Sequence, residues 1–153
     1  MMSRKLCDKG FTMTETMVVM LVTAIIAAVS FVGFNAFQHS SNLNTLSNFI
    51  LQIKQASVQY EETNGSNSNI SCNALVSSGD WPVNGCASGN LFQASIPGPP
   101  SISLAPVSGQ DLEFTITVGT TYFTASDLAN LCLQFQTQDV SCTAGAGALA
   151  VTF

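Results

Sequence analysis

The sequence predicts an α+β protein in which one long N-terminal α-helix packs on a small antiparallel β-sheet domain. Three observations lead there. No proline interrupts the chain from Met1 to Trp81, and over that length an apolar run is succeeded by apolar residues at helical spacing. All five prolines fall between Trp81 and Pro106. Beyond Thr63 the composition turns to Ser, Thr, Asn, Gly and Gln, and residues 112–118 alternate strictly between apolar and polar.

The first ten residues carry Arg4, Lys5 and Lys9 against Asp8. Positive charge beside an apolar segment stays on the cytoplasmic side, so the N-terminus starts inside. This block is too short to contain a hydrophobic region of its own, and a cut after Gly10 leaves the apolar stretch on the mature chain. That stretch, Met17 to Phe34, is broken only by Thr23, Ser30 and Gly33. Its length is about that of a membrane-spanning helix. At its head stands Glu15, the only formal charge between Gly10 and Lys54. A carboxylate there must find a partner, stay protonated or reach the interface, so it reads either as a functional group or as a solvated residue at the membrane edge.

Past Phe37 the chain turns polar and keeps its helical order. Leu43, Leu46, Ile50, Ile53 and Tyr60 hold three- and four-residue steps with Ser57 as a weak member, and Phe49 and Ala56 widen the stripe. The first strong breaker run is Asn64 to Asn69. One helix from about Phe11 to Thr63 is expected, roughly 80 Å long at 1.5 Å per residue. It divides into an apolar half, about 11–37, and an amphipathic half, 38–63, whose stripe packs on the domain built from residues 64–153.

In that domain Ile96-Pro97-Gly98-Pro99-Pro100 is a rigid, non-helical connector. Leu112, Phe114, Ile116 and Val118 alternate with Glu113, Thr115 and Thr117 as a half-buried strand, and Gly119-Thr120 reads as a turn into Thr121–Thr124. Ile102–Leu104 and Leu149–Phe153 are weaker strand candidates, and Leu131–Gln136 is ambiguous. Ser126-Asp127 is a candidate cap of a short helix. About ninety residues suffice for a small sheet and need help beyond their core.

The run Gly10-Phe11-Thr12-Met13-Thr14-Glu15, behind a short basic leader and ahead of a long apolar helix, resembles the class III leader junction of type IV prepilins and of the pseudopilins of type II secretion. The resemblance covers roughly residues 1–60. It implies a type IV pilin-like fold, with the leader, residues 1–10, removed by a membrane aspartyl prepilin peptidase that cuts after Gly10 and methylates the new N-terminus at Phe11. It also implies that Glu15 of one subunit meets the protonated amine at Phe11 of a neighbour during assembly, two costly charges cancelling in a fibre core; the benefit is register and recruitment more than stability. Many family members carry a proline where this chain has Val32, and Gly33 beside it raises the question of local melting. The partners implied are other pilins in a homo- or hetero-polymer, the peptidase, an assembly platform with its cytoplasmic ATPase, and the bacterial inner membrane before the subunit enters an extracellular fibre.

Cys7 lies in the leader, which leaves Cys72, Cys86, Cys132 and Cys142. An even count in a small exported domain reads as two disulfides, with three possible connectivities. Cys72–Cys86 and Cys132–Cys142 are favoured, because each closes a short loop rich in Gly and Ser. The second resembles the disulfide-closed C-terminal region of many pilins. A zinc site is the rival reading, but no pair has CxxC spacing and the only histidine, His39, is remote on the helix. No metal and no cofactor are expected.

Without the leader, Lys54 is the sole basic side chain against eight acids. Nucleic-acid binding draws on lysine and arginine, so direct binding is not expected. No nucleophile and base arrangement stands out, and an enzyme is not expected. Asp80 beside Trp81, Asp111 near Glu113, and Glu61-Glu62 read as solvated turn, strand and helix-end residues. Asn64-Gly65-Ser66 and Asn69-Ile70-Ser71 match the N-glycosylation sequon. The expected function is a major or minor structural subunit of a type IV pilus, with a type II secretion pseudopilin as the alternative. Major pseudopilins typically bind calcium through a C-terminal loop, and no dense Asp/Asn loop occurs here. Two further readings compete. One is an ordinary signal peptide with Met17–Ala27 as its core and Ala28-Val29-Ser30 as its cleavage site. The other is a signal-anchored extracytoplasmic binding module using residues 64–153.

Overall fold

The computed structural model describes residues 12–88, 90–98, 100–110, 112–136 and 140–153. It is an α+β, pilin-like arrangement of a long N-terminal helix and a six-stranded antiparallel sheet. The elements are α1 (Met13–Asn64), α2 (Cys72–Ser78), β1 (Cys86–Ala87), β2 (Leu91–Phe92), β3 (Ser101–Pro106), β4 (Phe114–Gly119), α3 (Ala125–Gln136), β5 (Ser141–Gly145) and β6 (Ala148–Thr152). The chain divides into two compact units, residues 1–40 and 41–153.

In the second unit the amphipathic half of α1 supplies one wall of the core. Leu46, Ile50 and Ile53 are fully buried with Ala56 and Ser57, and Leu43, Phe49, Leu51 and Tyr60 flank them. Ser57 tolerates burial because its hydroxyl donates to the Ile53 carbonyl at 2.8 Å, so no polar group is orphaned. The helix stops at Gly65, whose φ of 76° suits the left-handed cap and whose amide donates to the Glu61 carbonyl at 2.7 Å. Just beyond, Asn67 is fully buried in what reads as a polar breaker run. Its amide donates to Glu61 Oε2 and to the Leu112 carbonyl, both at 3.1 Å, tying the helix end to the segment before β4.

The sheet order is β1-β2-β3-β4-β6-β5. Registers place Phe92, Ile102, Val118 and Leu149 in one cross-strand row and Leu104, Ile116, Val151 and Cys142 in the next. Residues directly opposite share a face, so these rows form the core side. The other face carries Ser103, Thr117, Ala150 and Thr143 in one row and Ala105, Thr115, Thr152 and Ser141 in another. Thr115 and Thr152 hydroxyls lie 2.9 Å apart across it. The strand over residues 112–118 begins at Phe114 instead of Leu112, which is 60% exposed although it keeps the alternation.

Two helices complete the unit. α2 is capped by Ser71, whose Oγ accepts from the Ala74 amide at 3.2 Å, and ends at Gly79 with φ 88°. α3 takes up the ambiguous Leu131–Gln136, burying Leu128, Leu131, Cys132 and Phe135 at helical spacing. Its cap is Thr124, not Ser126. Thr124 Oγ1 accepts from the Asp127 amide at 3.3 Å, and Asp127 Oδ2 accepts from the Thr124 amide at 2.9 Å, a reciprocal capping box.

Candidate functional site

Gly10 and Phe11, the junction and methylation residues of the sequence reading, lie outside the described residues. The Thr12 carbonyl accepts from the amides of Glu15 at 3.0 Å and Thr16 at 3.2 Å and so opens the helix. Glu15 is the acid of the first turn, and its side chain is exposed. Free amides and the macrodipole make a helix N-terminus a favourable place for a carboxylate. The glutamate therefore belongs on this turn for local reasons as well as any intermolecular one.

From Met17 to Phe37 the large apolar side chains are all uncovered: Met20 is 73% exposed, Phe31 and Val32 are each 70%, and Phe37 is 69%. Apolar surface this continuous marks a face made for lipid or for other protein chains. The polar groups within it are satisfied locally. Thr23 Oγ1 donates to the Val19 carbonyl at 2.9 Å, and Ser30 Oγ to the Ile26 carbonyl at 2.7 Å. Internal pairing of this kind is what an apolar solvent demands. Among the described residues, α1 is a helix long and apolar enough to cross a membrane by length and composition. It runs unbroken through Val32 and Gly33, where a Cβ would meet nothing within 4 Å.

The four cysteines of the sequence reading all belong to the second unit. Cys72 on α2 is bonded to Cys86 on β1, with Cα atoms 5.9 Å apart. Cys132 on α3 is bonded to Cys142 on β5, with Cα atoms 5.6 Å apart. Each bridge ties a helix to a strand near one end of the sheet order. Among the described residues no group of three or more His, Cys, Asp or Glu side chains could hold a metal ion. The sequence reading overlooked Lys54 as more than a lone charge. Its ammonium lies 4.5 Å from the centre of the Phe153 ring. Phe153 in turn stacks on Phe114 at 5.6 Å. The signal was the scarcity of cations itself.

Residues 5–31 match the family model for the prokaryotic N-terminal methylation motif. No curated protein and no solved structure matches. The matched family is structural and not enzymatic, and a prepilin leader implies processing by a prepilin peptidase and assembly into pilin polymers in general. The apolar helix is consistent with membrane anchoring before assembly. With that motif at the head of a 52-residue helix and an antiparallel sheet after it in the chain, the protein has the leader motif and the α+β arrangement of type IV pilin-like and pseudopilin proteins.

Proposed function

We propose that the protein is a structural subunit of a type IV pilus. The observation that carries this reading is the methylation motif on a helix whose first half leaves its apolar side chains uncovered. The peptidase cuts between Gly10 and Phe11 and methylates the amine of Phe11. Before assembly, α1 holds the subunit in the bacterial inner membrane as a single pass, with residues 41–153 outside the cytoplasm. An assembly platform then draws subunits out, and their apolar helices bundle into a fibre core. There Glu15 of one subunit receives the Phe11 amine of a neighbour, so that neither charge is left alone among apolar side chains. The two disulfides suit an oxidising exterior.

The test is electron microscopy of fibres sheared from cells producing the chain, with mass spectrometry of their subunit. A chain starting at N-methylated Phe11 within surface fibres is expected. The same N-terminus on a protein that stays in the cell envelope and supports secretion instead identifies a type II secretion pseudopilin. A mature N-terminus near Ser30 overturns both and leaves an ordinary exported protein.

A further inference from the structure

We propose that Asn35 of one subunit hydrogen-bonds His39 of the next copy of this chain, holding neighbouring α1 helices parallel and offset by one helical turn. The inference rests on the fibre-subunit reading and names the polar contact that sets the register of the helix bundle.

Asn35 lies in the uncovered apolar half of α1, between the exposed rings of Phe34 and Phe37. Thr23 and Ser30 pair their hydroxyls with carbonyls of their own helix, and Asn35 is the exception. Its side chain is exposed, and among the described residues its carboxamide makes no hydrogen bond. A carboxamide offers two N–H donors and an acceptor oxygen. In a bundle of apolar helices from which water is excluded, those groups are met from another helix or not at all. A lone asparagine on such a seam specifies register at some cost in stability.

The Glu15–Phe11 contact selects the residue that meets it. Bringing Glu15 of one copy to the Phe11 amine of a parallel neighbour offsets the two chains by the four residues between 11 and 15, about 6 Å of helix rise. The same offset sets His39 of the first copy level with Asn35 of the second. His39 stands one turn beyond Asn35 on the same face, so every copy presents both partners. Between Glu15 and Lys54 the helix has no charged residue to claim that imidazole. His39 makes a contact within its own chain, and two ring nitrogens allow it another. Either neutral tautomer suits the carboxamide, which donates through Nδ2 or accepts through Oδ1.

The helix surface has room for the approach. Ala28, Val29, Val32 and Gly33 line a shallow apolar groove just before Asn35, and a Cβ at Gly33 would meet nothing within 4 Å. Ala28 and Val32 share the face of Asn35, whereas Gly33 lies about five turns beyond Glu15 and shares its face. A helix laid along this groove therefore reaches both contacts. Small residues let backbones come close enough for hydrogen bonds between helices. Because Asn35 meets His39 and not a second Asn35, the contact joins different patches and propagates from copy to copy.

Single cysteines test the pairing in fibres sheared from cells producing the full chain and oxidised before non-reducing electrophoresis. Fibres assembled from a mixture of Asn35→Cys and His39→Cys chains are expected to yield cross-linked dimers, and fibres of either variant alone to yield monomers. Mixed fibres that give only monomers overturn the proposal, as do dimers from Asn35→Cys alone. Fibre yield is an independent readout. Asn35→Leu keeps the helix apolar and is expected to lower the yield about tenfold or more, with the amount of processed subunit in the membrane unchanged. The exchange Asn35→His, His39→Asn is expected to assemble as the unmodified chain does. Unchanged yield from Asn35→Leu, or no recovery in the exchange, overturns the proposal. Absence of fibres from the unmodified chain overturns the fibre-subunit reading itself.

Discussion

Replacing Cys132 and Cys142 together by alanine removes the bridge that ties α3 to β5, and the structure sets the size of the expected loss. The two residues are 10 apart in sequence. In the chain-entropy account a loop of that length contributes about 2.8 kcal/mol at 25 °C, and the 14-residue separation of Cys72 and Cys86 about 3 kcal/mol. A unit the size of residues 41–153 has a net stability of roughly 6–17 kcal/mol at the usual per-residue value. One bridge is therefore a substantial fraction, and both together amount to about 6 kcal/mol if independent, which their placement at different ends of the sheet order supports. Trp81, the only tryptophan, packs against Phe49 and Phe92 and reports unfolding by its fluorescence. Guanidinium titration of the detergent-solubilised full chain should show the Cys132→Ala, Cys142→Ala variant losing about 2.8 kcal/mol with an unchanged native spectrum. A loss below about 1 kcal/mol refutes the loop-entropy reasoning and means that buried contacts of α3, through Leu128, Leu131 and Phe135, hold the element without covalent help.

Glu15→Ala should leave leader removal intact and abolish fibres, as read by mass spectrometry of the membrane fraction and by counting sheared fibres; normal fibre numbers contradict the assembly role. Asn67→Ala should cost about 1–3 kcal/mol in the same titration, because the Leu112 carbonyl loses its donor inside the protein. Thr124→Val removes the hydroxyl that caps α3 and should cost about 1 kcal/mol, with hydrogen exchange quickening at the first turn of that helix.

The long helix was legible because its evidence is repeated: the stripe from Leu43 to Tyr60 states the same period several times, and the absence of proline does the rest. β4 was legible in the same way from Phe114, Ile116 and Val118. β1 and β2, by contrast, are two residues each, too short for any period to show, and exist because neighbouring strands pair with them. β5 shows no apolar alternation, since its pattern is exposed but for Cys142. Asn67 looked like a loop residue and is a buried clasp, because its partners are the end of α1 and a carbonyl 45 residues further on. The candidate site rests on a different kind of signal. A leader junction is a local, linear pattern, so Gly10, Phe11 and Glu15 fall within six consecutive residues, whereas Lys54 and Phe153 meet only when the unit closes.

The sheet order has a consequence for how the subunit is made. β6 comes later in the chain than β5, yet it lies between β5 and β4. The central part of the sheet therefore has a vacancy until Ala148–Thr152 has been made, and β4 has one edge unpaired until then. The same late strand that completes the sheet carries Phe153 to its place between the Lys54 ammonium and the Phe114 ring, so the contacts that join the middle of α1 to the sheet are among the last the chain can make.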